Sequence, residues 1–183
     1  MDIKPIETLY KGHRFRSRLE ARWAVFFDSL GIPWIYEPEG VRLKDGSTYL
    51  PDFFLPDCKQ FFEVKGVLSK KDFSKIEGLT ALGYSVTTGF DDGKFISCDN
   101  WGKNLYAIAG PAETHLLCRC RYCQKYWFMA ANGSYVCQCC GEYDGDGHFC
   151  TVMEWCDRFS DTKLWDVARQ ARFEHGEQPV IRR

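Results

Sequence analysis

Residues 49 to 66 read YLPDFFLPDCKQFFEVKG: two apolar, aromatic-rich runs interrupted by Asp52, Glu63 and Lys65. The PDCK break marks a turn. A turn centred on Asp57 and Cys58 pairs Phe54 with Phe61, Asp52 with Glu63 and Leu50 with Lys65. Side chains alternate faces along a strand. Glu63 and Lys65 therefore share a face, with Asp52 as their cross-strand neighbour. Phe53, Leu55, Phe62 and Val64 point the other way and form the core face. Two adjacent carboxylates repel each other, and a divalent cation relieves the repulsion. Mg2+ takes oxygen ligands, keeps several waters and is held by one or two carboxylates together with a phosphate. The pattern predicts Asp52 and Glu63 as ligands of Mg2+ or Mn2+. Lys65 is placed to hold or help deprotonate an attacking water and to offset phosphate charge. The chemistry expected is in-line hydrolysis of a phosphodiester.

The chain around this stretch reads as mixed α/β. Residues 16 to 30, RSRLEARWAVFFDSL, carry Leu19, Trp23, Phe26, Phe27 and Leu30 on one helical stripe, closed by Gly31 and Pro33. On a wheel of about 100° per residue Glu20 falls at the edge of that stripe, where it can supply a further carboxylate. Three strand-like runs follow, at 34 to 43, 48 to 55 and 61 to 66, broken by KDGS and PDCK; they read as two hairpins and an antiparallel meander. Residues 69 to 83 read as a helix capped by Ser69 or Asp72 and closed by Gly83. YSVTTGF is a further strand and NLYAIAG another candidate. Residues 1–110 are therefore expected to form an α+β core, with a mixed sheet flanked by helices.

The motif series RSRLEARW, YLPDFFL and FFEVKG resembles the PD-(D/E)xK nuclease superfamily, which has the restriction-endonuclease-like fold. The resemblance covers roughly residues 10 to 90. Its spacing is most like that of phage-type junction-resolving endonucleases. It implies a metal-dependent DNA endonuclease in which Asp52 and Glu63 are metal ligands, Lys65 is the catalytic lysine and Glu20 is the acid of the first helix. It also implies a possible homodimer, and branched or otherwise structured DNA as substrate, with nicking of duplex close behind. RNA stays open as a substrate. A rival reading from another class is a non-catalytic DNA-binding or assembly protein with a vestigial acidic site.

Charge is uneven along the chain although the net charge is −1. Lys11 to Arg22 holds five Lys or Arg and one acid, and Lys59 to Lys75 holds five Lys and two acids, whereas Gly141 to Asp161 holds six acids and one Arg. The first two blocks read either as solvated surface or as a basic face. In the second case Arg14, Arg16, Arg18, Arg22, Lys70 and Lys71 would meet phosphates without reading sequence.

Seven of the ten cysteines fall between residues 118 and 150. Cys120-x-x-Cys123 and Cys137-x-x-Cys140, thirteen residues apart, present four thiolates, which suits a structural Zn2+ in a zinc ribbon. ANGS, at 131 to 134, offers a hairpin turn between them. A redox pair of Cys-x-x-Cys motifs is the competing reading, without a thioredoxin-like context. Cys118 and Cys139 offer an alternative register, and His148, Cys150 and Cys156 a second site. DGDG, at 144 to 147, lacks the later positions of a calcium loop and reads as an acidic loop. The expected organisation is a core over 1–110, a zinc ribbon over 111–150, and a C-terminal helix and tail over 151–183. The N-terminus lacks the apolar run of a signal peptide and no apolar run is long enough to span a bilayer. The expectation is a cytoplasmic protein with no membrane partner and no small-molecule cofactor.

Overall fold

The computed structural model describes residues 5–98, 115–130, 137–142, 153–158 and 163–173. A hairpin of β1 (Thr8–Tyr10) and β2 (His13–Phe15) leads into helix α1 (Arg18–Leu30). Ser17 caps α1 by accepting from the Glu20 N–H, and Gly31 closes it in the left-handed region at φ 68°. The helix thus begins two residues later than its periodicity predicts.

The first two strand-like runs each split in two. Residues 34 to 43 become β3 (Ile35–Tyr36) and β4 (Val41–Arg42); residues 48 to 55 become β5 (Thr48–Tyr49) and β6 (Phe53–Leu55). Pro38 and Pro51 lack the N–H a ladder needs, and Glu37 is left-handed at φ 44°. The hairpin breaks there: β3 pairs with β6, while β4 and β5 pair separately as a two-stranded ribbon. β6 pairs antiparallel with β7 (Gln60–Val64), with Phe54 opposite Phe61, the register expected from the sequence.

From β7 the chain crosses through α2 (Lys70–Thr80) to β8 (Ser85–Gly89), which lies parallel to β7. Ser69 and Asp72 close a reciprocal capping box at the start of α2. β9 (Phe95–Cys98) returns antiparallel to β8. The result is a mixed five-stranded sheet in the order β3-β6-β7-β8-β9.

Both faces of this sheet are covered. On one, Trp23 and Phe27 of α1 pack on Phe62, with ring centroids 4.7 and 5.0 Å away. On the other, Ile76 and Leu79 of α2 join Phe61, Val86, Leu43 and Tyr49 in a second cluster. A third layer rests on α1: helix α3 (Lys163–Gln170) sets Trp165 4.5 Å from Trp23. Trp23 is fully buried between them.

Gly89 fits this stack only because it has no Cβ. An added methyl would meet the Trp23 ring and come within 2.6 Å of Phe62. Gly89→Ala is expected to destabilise by about 1–3 kcal/mol through overpacking. Urea unfolding checks it; an unchanged midpoint would show that the rings move aside.

The cysteine-rich part forms a three-stranded sheet, β11-β10-β12, from β10 (His115–Cys120), β11 (Tyr126–Ala130) and β12 (Met153–Arg158). β11 abuts the main sheet. Gln60 donates from Nε2 to the Phe128 carbonyl (3.0 Å) and accepts from the Phe128 N–H (3.4 Å), and Lys125 pairs with Asp57 at 2.7 Å. Phe128 packs against Phe62 and Phe95. One apolar cluster therefore runs from α1 through the main sheet into β10, β11 and α3. Among the described residues no helix is long and apolar enough to cross a membrane. The NLYAIAG strand, the ANGS turn, the DGDG loop, His148, Cys150 and the side chain of Cys156 lie outside what is described.

Candidate functional site

Asp52 stands just ahead of β6, Glu63 is the penultimate residue of β7, and Lys65 follows the end of β7. Phe53 faces Phe62, so Asp52 and Glu63 are the next facing positions beyond that pair. Asp52 Oδ2 accepts from the Val64 N–H at 2.8 Å, which ties the carboxylate to the neighbouring strand. Lys65 Nζ lies 3.0 Å from Glu63 Oε2 and 3.6 Å from Asp52 Oδ2. The face carrying these groups also carries Phe54 and Phe61, which draw α2 and the β4–β5 ribbon over it. The carboxylates are consequently not on an open face: Asp52 is 5% exposed and Glu63 1%.

The electrostatics follow from that burial. Among the described residues neither Glu63 oxygen has a hydrogen-bond partner. The Lys65 ammonium is close enough to pair with it as an ion, but is not aligned to donate. Burial first, and then Asp52, push the Glu63 carboxyl up to about 7, with Lys65 and the Tyr49 hydroxyl pulling the other way. Burial also raises Asp52, helped by Glu20 and opposed by Lys65, the Val64 N–H and Arg16. Burial works against the Lys65 ammonium, but Asp52 and Glu63 outweigh it and raise its pKa. Tyr49 is raised too, by burial and then by Glu63. The two buried carboxylates share the Lys65 ammonium, and Asp52 is paired with Arg16 as well.

Glu20 is also buried, at 7% exposure. Its oxygens are already engaged. Oε1 accepts from Ser17 Oγ (2.8 Å), and Oε2 accepts from Tyr36 Oη (2.7 Å) and from the Arg16 N–H (3.1 Å). In this arrangement the carboxylate stitches the start of α1 to β3. Asp52 is engaged too, Oδ1 by Arg16 and Oδ2 by the Val64 N–H, whereas among the described residues both Glu63 oxygens are unmatched.

The six basic residues divide. Arg16 spans Asp52 Oδ1 (2.9 Å) and Glu37 Oε1 (2.8 Å). Arg14 is exposed and pairs with Glu7 at 3.3 Å. Arg22 keeps its Nε buried without a partner; burial, then Arg18 and Arg172, lower its pKa, against Asp91. Arg18 lies one turn before it on α1, half-buried, and Lys70 and Lys71 are exposed at the start of α2.

Tyr36, Glu37 and Tyr49 belong to this neighbourhood and carry no motif that would single them out. The capping role of Glu20 did have a signal, Ser17-x-x-Glu20 ahead of an apolar run.

The second site is the group of thiols. The Sγ atoms of Cys120, Cys123, Cys137 and Cys140 all lie within 4.8 Å of one another, so these four could bind a structural metal such as zinc. Cys120 and Cys140 are 3.8 Å apart, and Cys123 and Cys137 3.7 Å. A Zn–S length of about 2.3 Å puts the corners of a tetrahedron about 3.8 Å apart. The two knuckles are built alike. Gln124 and Gly141, each directly after the second cysteine, are left-handed at φ 62° and 80°. Each returns its N–H to the carbonyl of the first cysteine, at 2.9 and 2.8 Å. The Cys139 and Cys140 N–H groups reach Cys137 Sγ at 3.4 and 3.5 Å. Cys118 is buried in β10 and Cys139 Sγ turns to the Tyr126 carbonyl, so neither joins the four. None of the described cysteines forms a disulfide. Of the aromatic and basic groups beside the first knuckle, Trp127 is buried and Lys125 is paired with Asp57, while Arg121 and Tyr122 are exposed.

Compared with known proteins, the chain matches no family model, no curated protein and no solved structure.

Proposed function

We propose that the chain is a metal-dependent deoxyribonuclease of the PD-(D/E)xK kind, with a structural zinc ion on Cys120, Cys123, Cys137 and Cys140. The observation that carries the reading is Glu63, buried beside Asp52 and near Lys65 and Tyr49, with both oxygens unmatched among the described residues. Asp52 and Glu63 would hold Mg2+ or Mn2+, which supplies a Lewis acid and acidifies bound water. Lys65 stays charged between the two carboxylates. That makes it a donor to the attacking water or to a phosphate oxygen rather than a base. Glu20 acts one step back, fixing Arg16 and Tyr36 next to Asp52. Branched or nicked duplex DNA is the preferred substrate class, and the exposed Lys70 and Lys71 are the simplest phosphate contacts.

One observation favours a second reading, a DNA-binding or assembly protein with an inert acidic site. The oxygens of Glu20 are fully engaged, and among the described residues the three carboxylates do not gather closely enough to share an ion.

A cleavage panel separates the two. Linear duplex, supercoiled plasmid, single strand, flap and four-way junction would be incubated with Mg2+, with Mn2+ and with neither, using the native chain and Lys65→Ala. The expected result is metal-dependent cutting that falls at least about 100-fold in Lys65→Ala, the scale of a lost proton-handling or charge-stabilising group. Binding without cutting under every metal would sink the nuclease reading and favour the second.

A further inference from the structure

Arg16 is the surface cation that the structure ties most closely to the acidic site. Its backbone is fixed: the N–H is shared between Glu20 Oε2 and the Tyr36 hydroxyl, both at 3.1 Å. Its side chain is 56% exposed, yet both ends of the guanidinium are spent on acids, Nη2 on Asp52 Oδ1 and Nε on Glu37 Oε1. The two oxygens of Asp52 are not equivalent. Oδ2 is held inside the sheet by the Val64 N–H, while Oδ1 is held only by a side chain that can swing into solvent. A divalent ion bound at Asp52 would compete with Arg16 for this carboxylate, and Oδ1 is the oxygen whose partner can leave.

We propose that Arg16 is the exchangeable cation of this site: it neutralises Asp52 Oδ1 until a divalent ion takes that oxygen, and once released it binds a phosphate of the polyanion. The inference rests on the metal site proposed above. The exchange is physically easy. The Arg16 end of the pair lies half in water, and the incoming ion replaces its charge beside the buried Asp52, so the carboxylate is not left unpaired. A guanidinium is also suited to grip a phosphate through two parallel donors. Linkage then follows. If releasing Arg16 favours the ion, a phosphodiester that captures Arg16 tightens ion binding, and the ion tightens phosphodiester binding by the same factor. Arg16 would thereby make ion and DNA enter together, which disfavours a loaded site without substrate.

The test is Mn2+ binding to the full-length, zinc-loaded chain, read as free Mn2+ by electron paramagnetic resonance, with and without a short DNA duplex. Without DNA, Arg16→Gln is expected to bind Mn2+ about 5-fold or more tightly than the native chain, within the usual range of such couplings. Arg14→Gln removes the same charge two residues away and should change Mn2+ affinity much less. With DNA the native affinity should rise, whereas that of Arg16→Gln should stay where it was. Arg16→Lys, which keeps the charge but not the fork, should fall between the two and serves if the glutamine variant does not fold. Equal Mn2+ affinity in the native and Arg16 variants overturns the proposal and leaves the metal site standing. Mn2+ binding that is absent from the native chain, or that survives Asp52→Asn, overturns the metal site itself and the proposal with it.

Discussion

Glu63→Gln is expected to make the metal-free protein more stable while abolishing metal-dependent cleavage. The side chain is 1% exposed, neither oxygen accepts a hydrogen bond, and Asp52 is its neighbour. Its carboxyl is raised from 4.5 to about 7 by burial and by Asp52. The folded state therefore holds the Glu63 proton more tightly than the unfolded chain does. The stability that comes from this protonated carboxyl is complete below about pH 4.5 and is lost as the pH rises through about 7. At about 1.4 kcal/mol per pH unit, the loss by pH 8 is on the order of 3 kcal/mol. Glutamine keeps the shape and never ionises, so the gain of the variant over the native chain should be small near pH 5 and approach that figure at pH 8. Lys65 loses one partner but keeps Asp52 and some water contact, which trims the gain without reversing it. Urea unfolding at the two pH values, with a chelator that spares the thiol site, checks the prediction. Adding Mg2+ should restore stability to the native chain at pH 8 and do nothing for the variant. A variant no more stable at pH 8, or a gain that does not shrink at pH 5, would mean that Glu63 is charged and well solvated by means the described contacts lack.

The acidic site was legible in the sequence to the extent that it depends on strand alternation. Pairing Phe54 with Phe61 follows from where the PDCK turn sits, and every facing relation from Asp52 to Lys65 follows from that pair. What alternation could not reveal is the covering of the acidic face. Phe54 and Phe61 lie on it, and α2 comes from beyond Lys65 to bury them; only the tertiary crossover from β7 to β8 decides that. The break in the first hairpin was half-visible. Pro38 and Pro51 stand in the sequence, but the left-handed Glu37 just before Pro38 is a local solution that no residue type announces. The β8–β9 hairpin did carry a signal, Asp92-Gly93 ahead of an alternating run, with Gly93 at φ 84°.

Glu20 shows why residue type and approximate position fall short of a role. The helical wheel places it near Asp52, and the structure has it bear electrostatically on that carboxylate. Its hydrogen bonds, however, go to Ser17, Tyr36 and the Arg16 N–H. Glu20 is held by three donors, whereas Glu63, with the Lys65 ammonium 3.0 Å away, has no hydrogen-bond partner among the described residues. Number of donors, not burial, separates Glu20 from Glu63. That number depends on which neighbours the fold delivers, here a tyrosine sixteen residues away.

If the four thiols hold a zinc ion, as proposed, removing it should unfold more than the cysteine-rich sheet. Cys120 and Cys123 bracket the turn between β10 and β11, and β11 forms part of the wall of the main core through Phe128. The buried Gln60 bonds both the N–H and the carbonyl of Phe128, and donates to Ser97 as well. If β11 moves, Gln60 loses its partners in an apolar setting, at a cost of about 1–3 kcal/mol for a buried polar group left unmatched. Phe62 and Phe95 lose a packed ring besides. A structural zinc contributes about 10 kcal/mol or more in small metal modules, comparable to the whole stability of a domain. Even a fraction of that, about 4 kcal/mol, lowers the melting temperature of a chain this size by on the order of 10 °C. Cys137→Ser, or a strong zinc chelator, is therefore expected to shift the single main unfolding transition by at least that much. Tryptophan fluorescence and far-ultraviolet circular dichroism should move together. Gln60→Ala should uncouple them, so that chelation then disturbs the ribbon while the main transition changes little beyond the cost of the substitution. If chelation of the native chain left that transition in place, the ribbon would be an appended module, and the Gln60–Phe128 contact a surface between two independently stable parts.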